Sequence, residues 1–171
     1  MLSLILPFVE IALHRRGPEH LPASRFLFGL VLVTYLVVAL LTTQILNDPG
    51  YPMPAVLIQL VLELAFIWCV LRAFERQRRF VQAACAVFGT DTLLNLLALP
   101  LILWHRALAV PAAELTLPTV LQFLLWVWSI DIATSILSRA LERPYVVALA
   151  IVVGYELLSA SLHFTLYPPA N

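Results

Sequence analysis

Four carboxyl side chains, Glu63, Asp91, Asp131 and Glu156, stand inside apolar runs long enough to cross a bilayer, one in each of four successive runs. An uncompensated carboxylate in hydrocarbon is expensive, so each needs a neutral form, a partner or a task. No arginine falls at their level in the sequence. The protonated acid, which donates as well as accepts a hydrogen bond, is therefore the form expected there. Counted at 1.5 Å per residue from the arginine-bearing ends of the runs, the four lie roughly 12 to 17 Å deep, in one layer. Each has polar neighbours along its own run: Thr90, Thr92 and Asn95 beside Asp91; Ser129, Thr134 and Ser135 beside Asp131; Ser159 beside Glu156. Asp91 is expected to be hydrogen-bonded to Asn95 and to a polar group on a neighbouring run.

Such a layer suits two chemistries. Protonated acids and small polar residues hold helices together by interhelical hydrogen bonds where lipid supplies no hydrophobic drive. Membrane-embedded carboxylates also mark proton relays and cation routes. A third, catalytic use would pair Asp91 with Asp131 as in aspartyl-type intramembrane proteases, two carboxyls sharing one proton. Phe-Gly-Thr-Asp, residues 88–91, lacks the second Gly of those enzymes' Gly-x-Gly-Asp motif, and no Tyr immediately precedes Asp131. No enzyme is expected. Nor is a metal or cofactor: Cys69 and Cys85 have no metal-ligand spacing, His14, His20, His105 and His163 offer no facing pair for haem, and no phosphate-cradling glycine loop occurs.

The elements that carry these acids follow from composition. Of 171 residues, 62% are hydrophobic and 12% charged, the balance of an integral membrane protein. Five windows of about 20 apolar residues read as spans at 25–46, 54–74, 80–103, 118–138 and 145–166. Pro54, Pro118 and Pro144 fall at or just before helix starts, where a missing N–H costs little. The expected fold is all-α, a polytopic five-helix membrane bundle over residues 25–166. An N-terminal segment, 1–24, precedes it and a short tail, 167–171, follows. Residues 1–14 are too short to span; Leu2, Ile5, Leu6, Val9 and Leu13 share a side, which predicts an interfacial helix lying on the membrane. A short re-entrant segment packed against the bundle is the alternative. The opening run carries its charges after its apolar stretch and does not read as a cleaved signal peptide. Gly29, Gly89 and Gly154, single glycines in three spans, read as points of close helix packing.

All ten basic residues are arginine and the net charge is zero, which argues against a nucleic-acid partner. Nine of the ten fall on one side of the proposed spans, Arg106 alone on the other. The expected orientation is N-terminus in the cytoplasm and C-terminus outside, in a bacterial inner membrane. Arg15, Arg16, Arg76, Arg78 and Arg79 are candidate contacts to lipid headgroups or a partner.

The five-span layout, a polar third span and the fourth-span sequence "WSIDIATSILSRALERP" resemble the bacterial branch of the Yip family, the Ypt/Rab-interacting membrane proteins. The resemblance covers residues 25–166. It implies a compact helical membrane protein acting through partners or on membrane organisation rather than by catalysis. This chain lacks the long soluble N-terminal region of the eukaryotic members. The leading functional expectation is a non-enzymatic scaffold, membrane-organising protein or small subunit of a membrane complex, with a membrane-protein partner or homo-oligomer. The alternative is a proton- or cation-coupled transporter or channel whose path is the layer of Glu63, Asp91, Asn95, Asp131 and Glu156.

Overall fold

Apolar runs punctuated by proline and arginine become α1 (Leu2–Ala12), α2 (Arg25–Leu46), α3 (Met53–Ala73), α4 (Phe80–Ala107), α5 (Leu117–Leu141) and α6 (Tyr145–Leu166) in a computed structural model that describes residues 2–46, 53–108 and 115–166. Among these residues there is no strand. Pro54 and Pro118 are second residues of α3 and α5, and Pro144 directly precedes α6. Ser24 caps α2, its Oγ accepting from the N–H of Leu27 at 3.3 Å. α4 runs past the expected end at 103, straight through Pro100. There the ring removes one N–H from the ladder, and the helix continues on the bonds around it. α2 to α6 are each long and apolar enough to cross a membrane. The connection 47–52 and the tail 167–171 lie outside the described residues.

α4 is the central helix, packed against α1, α2, α3 and α5; α6 lies on α5 and α3, and α3 reaches α2. α2 and α4 run side by side in the same direction, with Phe28 edge-on to Phe80 and Tyr35 edge-on to Phe88 at 4.9 Å. The dense core sits towards the arginine-rich end. Leu71 of α3, Ala84 to Phe88 of α4, Ile132 and Ile136 of α5, and Ala148 and Val152 of α6 are all buried. Towards the other end the helices leave Leu57, Val61, Leu97, Leu124, Leu157 and Leu158 exposed. Exposed apolar surface on this scale suits helices that meet lipid rather than water.

α1 packs along the bundle. Phe8, Ile11 and Ala12 are buried, and Ile5 and Phe8 line a groove with Gly89, Leu93 and Leu96 of α4, so α1 runs antiparallel along α4. Ile5, Leu6, Val9 and Leu13 form its exposed side. The helix is apolar nearly all round, and a helix without a polar face is packed rather than floated. Gly89 makes the fit possible: a Cβ there would sit 2.3 Å from the Phe8 ring. Gly29 and Gly154 have nothing within 4 Å of a built Cβ, so close packing explains Gly89 and not the other two.

The three helices that finish at the arginine-rich end all terminate on a left-handed residue that is not glycine: His14 (φ 60°), Glu75 (φ 60°) and Glu142 (φ 54°). In each case the next N–H closes the turn on the carbonyl five residues back, Arg15 to Glu10, Arg76 to Leu71 and Arg143 to Ser138. These are Schellman ends, usually made with glycine.

Candidate functional site

Midway along the bundle, above the apolar core, five helices leave a cavity of about 330 Å³. Glu63 comes from α3, Asp91 and Asn95 from α4, and Glu156 from α6. Gln59 of α3, Gln122, Trp126 and Ser129 of α5, Tyr35 of α2 and Tyr155 of α6 complete its polar and aromatic wall. The acids, Tyr155 and Ala133 lie nearest the buried core. Gln59, Asn95, Ala98 and Gln122 lie further along, so the cavity extends from the middle of the bundle towards the end away from the arginines. Asp91 to Ala98 alone accounts for about 10 Å of that length.

The acids are held by different partners. The side chains of Glu63 and Asp91 come within hydrogen-bonding reach across the α3–α4 contact. A carboxylate has no hydrogen to give, so a bond between them requires a proton on one of the two. Glu156 lies close to both, with the indole of Trp126 from α5 beside it. The amide of Gln59 donates to the Tyr155 hydroxyl at 3.1 Å and accepts from Ser159 at 2.9 Å, tying α3 to α6. Tyr155 stacks on Phe66 of α3 at 4.2 Å between ring centres. Together these contacts fix the position of the carboxyl-bearing α3 against α4 and α6.

The polar neighbours expected to serve the acids serve the backbone instead. Asn95 donates from Nδ2 to the main-chain carbonyl of Asp91 at 3.0 Å, not to its carboxyl group. Thr90 and Thr92 bond to the carbonyls of Ala86 and Phe88, Ser129 to Trp126 and Thr134 to Ile130. A short hydroxyl side chain in a helix reaches its own preceding turn more readily than a neighbouring helix. Ser159 does cross to another helix, but it goes to Gln59 rather than Glu156.

Asp131 is not in the cavity. Ser129 and Ala133 line it, and a residue two positions from either points about 200° away around the helix. Asp131 accepts from the Tyr145 hydroxyl at 2.6 Å and lies 3.3 Å from Nε2 of His14, which joins α5 to α6 and to the end of α1. The four-acid layer therefore divides into three acids in the cavity and one outside it. The same division separates Asp91 from Asp131, so the two do not form a proton-sharing aspartyl pair.

The candidate arginines divide as well. Arg76 and Arg79 both grip the carboxylate of Glu142, and Arg79 also donates to the carbonyls of Arg139 (3.0 Å) and Ala140 (3.4 Å) at the end of α5. Arg16 pairs with Glu10 at 3.0 Å. These three brace the molecule's own turns, whereas Arg15 and Arg78 are exposed.

Among the described residues no group of three or more His, Cys, Asp or Glu is arranged to hold a metal ion. Sequence reasoning missed Gln59, Gln122, Tyr35, Tyr155 and Trp126 as wall residues. A signal for most of them exists: Gln59 and Glu63, Asp91 and Asn95, Gln122 and Trp126, and Tyr155 and Ser159 are each four apart, which puts one polar or amphipathic stripe on each of four apolar helices. None of the family models, curated proteins or solved structures compared with this chain matches it.

Proposed function

We propose that this protein is a proton- or cation-coupled membrane carrier whose path runs through the cavity of Glu63, Asp91 and Glu156. The observation that supports it most is the convergence of three acids from three helices on one polar void within otherwise apolar helices. Structural hydrogen bonding alone calls for paired side chains and leaves no reason for the space. In this reading the arginine-rich end faces the cytoplasm of a bacterial inner membrane, the C-terminus lies outside, and the cavity extends outward. The apolar core beneath it, around Phe88, Ile132 and Ile136, is the barrier. No catalytic step is assigned. Exposed apolar residues along the helices suit lipid or a second copy of the chain.

Reconstitution into vesicles with an internal pH dye tests the carrier. Asp91→Asn keeps a hydrogen-bond donor for Glu63 but cannot take up or release a proton, so proton movement is expected to be lost while thermal stability in detergent is retained. Normal proton movement in Asp91→Asn would reject the path.

A scaffold or small-subunit role is the second reading. It draws on the exposed Arg15 and Arg78 as contacts to anionic lipid or a partner. The proposed likeness to the Yip family belongs with it and draws on the five-helix layout. Partner capture that fails on replacing Arg15 and Arg78 by Gln, with proton movement absent from the intact protein, would favour this role.

A further inference from the structure

We propose that the cavity binds an organic cation, an amine or quaternary ammonium with an apolar body, and that this cation displaces the proton shared by Glu63 and Asp91. The inference rests on the carrier reading and adds its substrate class. Among the described residues the wall of the void carries three carboxyls and no basic side chain. An anionic or neutral ligand finds no charge to match there. Among the described residues no group of three or more His, Cys, Asp or Glu is arranged to hold a metal ion. The same wall carries aromatic side chains: the half-exposed indole of Trp126 and the rings of Tyr35 and Tyr155. Aromatic faces attract ammonium groups, and they do so most strongly where water is excluded. The cavity is also far larger than a bare ion needs, at about 330 Å³.

The arrangement assigns different tasks to the acids. Glu156 stands beside Trp126 in the cavity wall, so its carboxyl group and the indole can meet one positive charge together. Glu63 and Asp91 meet across the α3–α4 contact, and the proposal has them share one proton. A cation arriving at Glu156 brings positive charge next to that pair and favours its doubly ionised form. One cation enters, one proton leaves, and the net charge of the site is unchanged.

Tetraethylammonium is the probe, because it has no proton to lose and any proton released must come from the protein. Titration calorimetry on the purified full chain, repeated in buffers of different ionisation enthalpy, reads binding and proton release together. The expected result is binding with release of about one proton per cation. Replacing Trp126 by Leu should weaken binding about fivefold, and Glu156→Gln should weaken it more. Asp91→Asn should bind without releasing the proton. Equal competition by Na⁺ or K⁺, absence of tetraethylammonium binding, or binding indifferent to both Trp126→Leu and Glu156→Gln would overturn the inference. If Glu156→Gln fails to fold, Trp126→Leu carries the comparison.

Vesicles of phosphatidylethanolamine and phosphatidylglycerol separate this inference from the carrier reading. Binding with proton release but no flux across the vesicle would keep the site and reject the carrier. Proton flux with no binding of tetraethylammonium would keep the carrier and reject the substrate class.

Discussion

Two residues sharpen the difference between holding and doing. Asp91→Leu leaves Glu63 facing hydrocarbon without its partner, and a stability loss of roughly 0.6 to 2 kcal/mol is expected in detergent melts, against little change in Asp91→Asn. Equal stability of the two would show that the Glu63–Asp91 bond contributes nothing to folding. Gly89 gives a steric test. In Gly89→Ala the new methyl meets the Phe8 ring, so α1 should lift and stability fall; combining it with Phe8→Ala should recover part of that loss, whereas Gly154→Ala, with open space around it, should be nearly neutral. Additive losses at positions 8 and 89 would mean the two do not meet. The sequence revealed that Asp91 needed a partner, because burial of a lone carboxyl is costly anywhere. It did not reveal which partner. That depends on the direction each side chain takes around its helix, and Asp131, similar to Asp91 in depth, points to Tyr145 and His14 instead of the cavity.

Among the helices, starts were easier to read than packing. Proline restricts local backbone geometry, so Pro54, Pro118 and Pro144 marked three helix starts to within a residue or two. The helix ends at His14, Glu75 and Glu142 carry no glycine and so gave no local sign of the left-handed turn they make. A non-glycine residue in that conformation costs on the order of 1 kcal/mol. Glu75→Gly should therefore stabilise the protein by up to about 1 kcal/mol. Glu142→Gly relieves the same backbone cost but removes the carboxylate that Arg76 and Arg79 hold, and should gain less or lose. Melting temperatures of the two variants decide the matter; a larger gain at position 142 than at 75 would mean that the arginine pair is energetically idle. The seat of α1 on α4 was hidden for a related reason. Its exposed apolar side is visible in the sequence, but Phe8 and Ile11 on the other side acquire meaning only from Gly89 across the fold.

At the scale of the whole molecule, composition and span length carried the architecture, since both follow from the thickness and polarity of a bilayer rather than from tertiary detail. The cavity was not legible because it is a property of five helices at once. The antiparallel seating of α1 on α4 makes a further testable statement: spin labels should lie deeper in the membrane at position 5 than at position 13. Equal depth at the two positions would mean that α1 lies in the membrane plane, the interfacial reading. A reporter placed after Asn171 should lie on the opposite side of the membrane from one placed at Arg78, as an odd number of spans requires; reporters on the same side would remove a span.

The meeting of Phe8 with Gly89 also bears on the order of events at the ribosome. α1 is made before α4, yet its seat belongs to α4 and is synthesised about 80 residues later, a long-range contact that closes only after α2 and α3 exist. Until then the N-terminal helix has exposed apolar surface and no groove to occupy. A nascent chain arrested after α3 should leave a cysteine at position 8 open to a membrane-permeant thiol reagent, and one extended beyond α4 should protect it.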